Sequence, residues 1–346
     1  MTFNVTVLPS GVSFEVDRNE PILAAAIEKG VGLPYGCKDG ACGSCKCRLV
    51  EGRVIHGAHQ AKALSAEEEE AGMVLTCVAA PQTDVVLEAR TVAGAGEFPV
   101  RKMPSRVISI DKPAPDVAII KLQLPANDKL AYHAGQYIEF ILRDGSRRSY
   151  SMATAPHVQE TQPGIELHIR HMPGGKFTEH VFHGMAPKEI LRLEGPFGSF
   201  FLREGSSAPI VLLASGTGFA PIKAIVEHMR FKGDTRPVHL YWGCRSLVDL
   251  YAHAWLVEAA RTTPQLTYVP VLSEPKPTDE WTGRTGFVHL AVMADFPDLS
   301  RHEVYACGAP VMVETAQREF VARRGLLPEA FYADSFTSEA DKHSPT

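Results

Sequence analysis

Cys37, Cys42 and Cys45 stand in the pattern CxxxxCxxC, and Cys77 follows after 31 residues in the strand-like run LTCVA. Four thiolates at tetrahedral iron centres must converge on one small cluster, so three can come from a tight loop and the fourth from a distant element. The spacing is that of a plant-type 2Fe-2S centre. Gly36, Gly40 and Gly43 interleave these cysteines, where residues without Cβ let the backbone wrap closely and aim N–H groups at sulfur. A zinc site is the alternative use of four thiols, but it favours paired CxxC knuckles over a four-residue gap. Cys47, two positions after Cys45 in KCRLV, reads as a small buried side chain, with a ligand swap as the other possibility.

A second group of residues suits a different chemistry. In GSRRSYSMATAP, the run Arg148, Ser149, Tyr150, Ser151 forms an RxYS motif at a strand end, and this resembles the flavin domain of the ferredoxin-reductase family. The resemblance implies that Tyr150 lies against an isoalloxazine or ribityl face. It also implies that Arg148 pairs with a pyrophosphate and that Ser151 hydrogen-bonds near the flavin N5. About twenty residues on, IELHIRH runs into MPGGKFTEHV, where Gly174 and Gly175 open a helix whose N–H groups can hold phosphate. Lys176 and Thr178 reinforce this anion site. The segment resembles the family's second flavin segment, and His168 and Arg170 on its strand join the expected cofactor-binding set. As metal ligands the histidines promise nothing: His168 and His171 fall on opposite sides of a strand, and His180 and His183 share a helix face but lack a third ligand.

The third group lies in IVLLASGTGFAPIKAIVEHM, a buried strand, a glycine turn at Gly216, Thr217 and Gly218, then a helix. Pro221 stands where the third glycine of GxGxxG would be, and no acid ends the second strand, YWGCRS, so the full Rossmann fingerprint is absent. GTGFAP resembles the ferredoxin-reductase form of the loop. EVYACGAP puts Cys307 and Gly308 at a strand's carboxyl end, the edge where such sheets bind ligands, and in the family this turn lies beside the nicotinamide. Arg245 could read a 2′-phosphate, but a single Arg is equally compatible with NADH, which is the expected coenzyme, with NADPH as the alternative. FYADSF resembles the family's terminal segment, where an aromatic covers the flavin; Phe336 is the candidate, with an ordinary core aromatic as the plain alternative. By this resemblance Ser151, Cys307 and Phe336 flank the hydride path.

The elements that must carry these groups follow from periodicity. FNVTV and VSFEV joined by LPSG read as a hairpin, followed by a short helix between Pro21 and Gly30. Residues 91–105 hold Gly and Pro breaks without periodicity and read as a linker. From 106 to about 203, short alternating strands separated by turns argue for an antiparallel barrel. After 208, apolar runs alternate with helical stretches near 219–231, 249–262 and 310–324, which implies a buried parallel sheet. The expected organisation is therefore multidomain. It comprises a β-grasp-like 2Fe-2S domain over 1–92, a linker over 93–105, an FAD-binding β-barrel over 106–203, an α/β nicotinamide domain over 204–338 and a tail over 339–346.

Composition bounds the partners. The 346 residues are 45% hydrophobic and 22% charged, ordinary for a folded domain protein, and the net charge of −5 offers no broad basic surface for nucleic acid or anionic lipid. No apolar run reaches a membrane span, the N-terminus lacks a signal-peptide pattern, and five of seven cysteines cluster between 37 and 77, so a cytoplasmic protein is expected. Residues 1–93 carry 8 Lys+Arg against 12 Asp+Glu, while the remainder carries 27 against 28. That concentration suits transient, charge-steered docking. The run Glu67–Glu70 is either a solvated helix face or part of such a dock.

The order ferredoxin, flavin barrel, nicotinamide domain resembles the reductase components of benzoate-type dioxygenases, phenol hydroxylases and soluble methane monooxygenases. YGCKDGACGSCK, HMPGGKFT and ASGTGFAPIKAI also look like CDP-6-deoxy-glucoseen reductases, which serve a deoxysugar dehydrase. The resemblance implies an NADH-dependent reductase that passes hydride to FAD and single electrons through a 2Fe-2S cluster to a terminal oxygenase, or alternatively to the dehydrase. A reading of another class is a 2Fe-2S redox sensor or simple electron carrier.

Overall fold

The computed structural model describes residues 1–162 and 164–337, so the expected tail over 339–346 lies outside the described residues. By compactness the described residues form two units: Met1–Val100 with Pro196–Phe200 and residues 335–337, and Arg101–Gly195 with Phe201–Asp334.

In the first unit, β1 (Thr2–Leu8) and β2 (Val12–Asp17) form the expected hairpin, with Val5 opposite Phe14. Alternation puts Val5, Val7, Phe14 and Val16 inside, against Ile22, Leu23, Ala25 and Ala26 of α1 (Ile22–Glu28). The chain then passes through β3 (Lys46–Glu51), β4 (Val54–His56), α2 (Ala66–Glu70), β5 (Met73–Leu75), β6 (Ala79–Pro81) and β7 (Val85–Glu88). The sheet order is β2-β1-β7-β3-β5, with β1 and β7 parallel, and β4 pairs with β6 apart from it. Glu67–Glu70 lie on α2, whose N-cap Ser65 exchanges hydrogen bonds with Glu68 in a capping box.

The second unit begins with β8 (Arg101–Ala114), β9 (Val117–Gln123), β10 (Tyr137–Ile141), β11 (Arg147–Ser151), β12 (Gly164–Arg170), α3 (Lys176–His183) and β13 (Ile190–Phe197). Their order is β11-β10-β13-β8-β9-β12, and the end of β11 reaches β12 through a bridge between Met152 and Leu167. The core holds Val107, Ile120, Ile138, Phe140, Leu167 and Leu193, with Phe177 and Val181 of α3 packed on them.

One expectation needs correction here: the linker ends earlier than 105, because β8 is already a strand from Arg101 and pairs there with Gly195. Met103 and Ser105 are buried between exposed neighbours, so the alternation was present but two prolines' worth of breaker signal masked it. Pro104 is tolerated because β9 pairs with β8 only from Arg106 onward, leaving no acceptor on the side a Pro104 N–H would face.

The unit continues with β14 (Ile210–Ser215), α4 (Phe219–Lys232), β15 (Val238–Cys244), α5 (His253–Thr262), β16 (Leu266–Leu272), β17 (Arg284–Thr285), α6 (Val288–Asp295), β18 (Glu303–Gly308), α7 (Pro310–Arg324) and β19 (Phe331–Ser335). The sheet order is β17-β16-β15-β14-β18-β19, and β14 runs parallel to both β15 and β18. Strand order therefore reverses at β14, which opens a crevice at its carboxyl end beside β18. Helix α6, VHLAVMAD, escaped the sequence reading because it is apolar nearly all round and shows no stripe of period 3.6. Among the described residues no helix is long and apolar enough to cross a membrane.

Candidate functional sites

The loop before β3 turns through left-handed backbone at Lys38, Gly40 and Gly43. A Cβ on Gly40 would stand 2.9 Å from the Cβ of His59, so this glycine is required by space as well as by φ. The loop brings three cysteines toward Cys77, which follows β5. Cys45 and Cys77 are buried and Cys37 and Cys42 half-buried.

The four thiols fall into two interacting pairs, Cys37 with Cys42 and Cys45 with Cys77. Cys42 also accepts from the Cys37 N–H at 3.4 Å. The hydrogen bond from Cys37, ahead of burial, pulls the Cys42 thiol down to about 6, and the same bond pushes Cys37 up. Cys77 does for Cys45 what Cys37 does for Cys42. Two irons bridged by two sulfides need two thiolates each, so a two-plus-two arrangement fits a 2Fe-2S cluster better than one mononuclear four-thiolate ion. Cys47 points into the core of β3, and burial pushes its thiol up to about 12, the state of an inert side chain rather than a ligand.

In the second unit, Tyr150 is half-buried on β11 with its ring 5.4 Å from Phe177 and 5.9 Å from Phe140. Arg148 is half-buried beside it and donates to the Arg147 carbonyl at 2.6 Å. Arg147 is bound to Glu139 at 2.9 Å and to Glu194. Ser151 ends the strand, buried, and its Oγ donates to Asp334 Oδ2 at 3.4 Å.

Asp334 is the residue that sequence reading missed. It is buried on β19, and Cys307 at the end of β18 also directs its Sγ there, at 4.0 Å. Burial first, then the Asp334 charge, raise the Cys307 thiol well above its ordinary range, so it stays protonated. An acid inside the otherwise apolar FYADSF was the available signal. Phe336 lies just past β19, half-buried, and belongs with the first compact unit.

The glycine turn stands at the crevice. A Cβ on Gly218 would lie 2.2 Å from the Cys307 carbonyl oxygen, and one on Gly308 would lie 2.3 Å from Ser215 Oγ. The ends of β14 and β18 thus interlock, with the Ala309 N–H bonded to Ser215 Oγ at 3.0 Å. Trp242 donates to the Gly216 carbonyl at 2.9 Å and stacks on Phe219 at 4.4 Å. Thr217 is buried, and Arg245 is exposed beyond the end of β15. Arg170, at the end of β12, sets its guanidinium 3.3 Å from where a Gly216 Cβ would be and lies 3.5 Å from Asp116.

His168 is buried on β12. Its Nδ1 meets the Tyr251 hydroxyl at 2.9 Å and its Nε2 meets Glu166 at 3.0 Å, so both ring nitrogens are engaged inside the protein. Burial holds its pKa down, outweighing Glu166. Burial opposes ionisation of Glu166, yet His168 and Lys223 hold that carboxyl at about 2. Lys223 of α4 also donates to the Ala153 carbonyl at 3.3 Å, which ties this helix to the strand end after Ser151.

The Gly174–Gly175 turn opens α3 as expected, with Gly174 exposed. Thr178 is turned inward: its hydroxyl donates to the Met172 and Gly175 carbonyls at 2.9 and 3.1 Å, so it braces the turn instead of facing an anion. Lys176 is exposed and pairs with Asp144 at 2.7 Å, holding that carboxyl below its ordinary range. The Gly174 N–H donates to Glu179 at 3.0 Å, which is the leading cause of that carboxyl's lowered pKa.

Three domain families match the sequence: a 2Fe-2S iron-sulfur cluster binding domain over residues 5–82, an oxidoreductase FAD-binding domain over 104–202 and an oxidoreductase NAD-binding domain over 212–318. The CDP-6-deoxy-L-threo-D-glycero-4-hexulose-3-dehydrase reductase of Yersinia pseudotuberculosis is 40% identical, covering 97% of this chain and 99% of its own. The phenol hydroxylase P5 protein of Acinetobacter pittii is 34% identical over 99% and 96%. Among solved structures, the Amycolatopsis reductase GcoB aligns with a TM-score of 0.79 at 34% identity, covering 97% of this chain and 99% of its own.

Proposed function

We propose, for a chain that belongs to the family of reductases joining 2Fe-2S, FAD-binding and NAD-binding domains in one polypeptide, that electrons enter from NADH and leave singly to a separate oxygenase. The chain is an electron-transfer oxidoreductase. When bound, FAD supplies the conversion between a two-electron hydride and one-electron carriers.

The observation that carries the reading is the meeting of Ser151, Asp334 and Cys307 beside the glycine turn at the carboxyl edge of the sheet. In this reading Ser151 Oγ would lie beside the flavin N5, and Asp334, which accepts the hydroxyl proton, fixes the direction of that hydroxyl. Cys307 stays a neutral thiol that packs against the nicotinamide. Tyr150 lies along the flavin, and Arg148 with the Gly174–Gly175 turn holds the pyrophosphate. Gly216, Thr217, Gly218 and Gly308 receive the dinucleotide, Arg245 reads its ribose end, Arg170 braces the turn from the barrel side, and Phe336 covers the flavin. Cys37, Cys42, Cys45 and Cys77 hold the cluster.

The domains follow as a β-grasp-like ferredoxin over 1–92, a flavin barrel from β8 to about 203 and a nicotinamide domain from 204 onward. The Met152–Leu167 bridge supports barrel closure, since it brings the two outer strands of the sheet order together.

Anaerobic addition of NADH tests the path: bleaching of both the flavin and the 2Fe-2S bands is expected. Bleaching with NADPH alone would overturn the coenzyme choice, and no bleaching with either would sink the reading. A second acceptor has its own support, because the 40%-identical relatives serve a hexulose dehydrase while the oxygenase reductases share 31–34%. Reconstitution with both partner classes separates them; coupled product from a CDP-deoxysugar dehydrase and none from an oxygenase would transfer the assignment.

A further inference from the structure

Away from the residues assigned above, the end of β12 and the outer face of α3 bring together two imidazoles and a carboxylate. His171 Nε2 lies 3.1 Å from Glu179 Oε1, and His183 Nε2 lies 3.3 Å from Glu179 Oε2. All three ligand atoms lie within 4.8 Å of one another. Glu179 and His183 are one helical turn apart, so they share a face, and His171 reaches that face from the strand end.

We propose that His171, Glu179 and His183 bind a divalent cation of the zinc type, with the fourth position open to water. Metal–ligand bonds of about 2.0–2.1 Å put neighbouring donors of a tetrahedral site roughly 3.3 Å apart; each imidazole lies near that distance from one of the two Glu179 oxygens, and the three ligand atoms fall within 4.8 Å of one another. Imidazole nitrogens select zinc, copper or nickel over magnesium and calcium, which prefer all-oxygen shells. The site is preorganised. The His171 ring packs on Phe182 at 4.6 Å and meets the His183 ring edge-on at 5.6 Å, and the His171 N–H is fixed to the Asp116 carbonyl at 2.8 Å. The His183 side chain is 68% exposed, which gives an ion a direct way in. His180, although on the same helix, is bonded to Glu189 at 2.7 Å and takes no part.

Because Glu179 also receives the Gly174 N–H, a bound ion joins the strand end, the helix and the glycine turn through one carboxylate. The site would be a clamp on α3, independent of whether flavin is present.

The test is titration of the full-length protein, in its cluster- and flavin-loaded form, with zinc chloride, following heat of binding and melting temperature and checking that iron content is unchanged. Wild type is expected to take up one zinc and melt higher. His183→Ala should bind at least about tenfold more weakly, since even loss of an outer-shell partner costs that much. His180→Ala should bind like wild type. Equal zinc affinity and equal melting shifts in wild type and His183→Ala, or no uptake by wild type at 100-fold below millimolar protein-saturating zinc, would overturn the proposal.

Discussion

The cysteine loop and the Ser151–Asp334–Cys307 group, both proposed to hold a redox centre, are assembled by opposite means. Three of the four sulfurs sit within nine residues of chain, and the geometry is made by local backbone at Lys38, Gly40 and Gly43. The other group joins residues 183 positions apart, and nothing local fixes Ser151 to Asp334. Local sites are specified by a motif and lost by changing a ligand. Sites assembled across a fold are specified by packing, and they degrade in proportion to how far a partner moves.

The sharpest contrast is expected from Cys42→Ser. It should abolish the 2Fe-2S absorbance and partner-directed turnover, while NADH-to-ferricyanide activity stays within about twofold, because on the proposed reading hydride transfer does not pass through the cluster. Loss of both activities in a well-folded variant would refute that division of labour. Asp334→Asn comes next, lowering the rate of flavin reduction roughly ten- to hundredfold in stopped flow with the cluster spectrum intact. An unchanged rate would make Asp334 a purely structural residue.

Gly218→Ala forces a methyl against the Cys307 carbonyl oxygen and should cost about 1–3 kcal/mol of stability, read as a lower melting temperature. Gly145→Ala, where a Cβ would meet nothing within 4 Å, should show only the smaller cost of its positive φ. Ser151→Ala should slow flavin reduction several-fold, roughly 1 kcal/mol in barrier, with little change in NADH affinity; a change in affinity alone would argue against contact with N5.

The smallest effect concerns pH. His168 is buried with its pKa held down, so the unfolded chain binds a proton that the folded one resists. Its contribution to stability is present above the ordinary histidine value of about 6.5 and is lost as pH falls below it. His157, His239, His289 and His302 are shifted the same way, also by burial. Denaturant midpoints should therefore rise between pH 5 and 7, and His168→Asn should flatten part of that rise; an identical slope would show that His168 titrates alike in both states.

These contrasts also explain what the sequence made legible. The cysteine loop of the 2Fe-2S domain, the GTG turn and the parallel strands are local patterns, and all three could be read directly. Asp334 could not, since its meaning lies in two partners from β11 and β18. His168 and Thr178 were read as cofactor contacts because their motifs point there; what the motifs did not show is that their side chains bond within the protein, to Tyr251 and Glu166 in one case and to the Met172 carbonyl in the other. The start of β8 was hidden by Pro104, a breaker whose cost vanishes where β8 has no β9 neighbour. Helix α6 was hidden by being apolar on every side. The approach of His171 to His183 was likewise not legible from spacing: His171 follows the end of β12, and Glu179 lies between the two imidazoles.

The interlock of β14 and β18 divides the dinucleotide crevice into a fixed floor and an adjustable rim. Gly218 and Gly308 each abut the opposite strand with no space for a methyl, so the floor tolerates almost no redesign. Arg245 stands exposed at the rim, outside that interlock. On the proposed reading, an exchange of one coenzyme for the other would therefore be sought at Arg245 and its surroundings, with the interlocked floor left as it is.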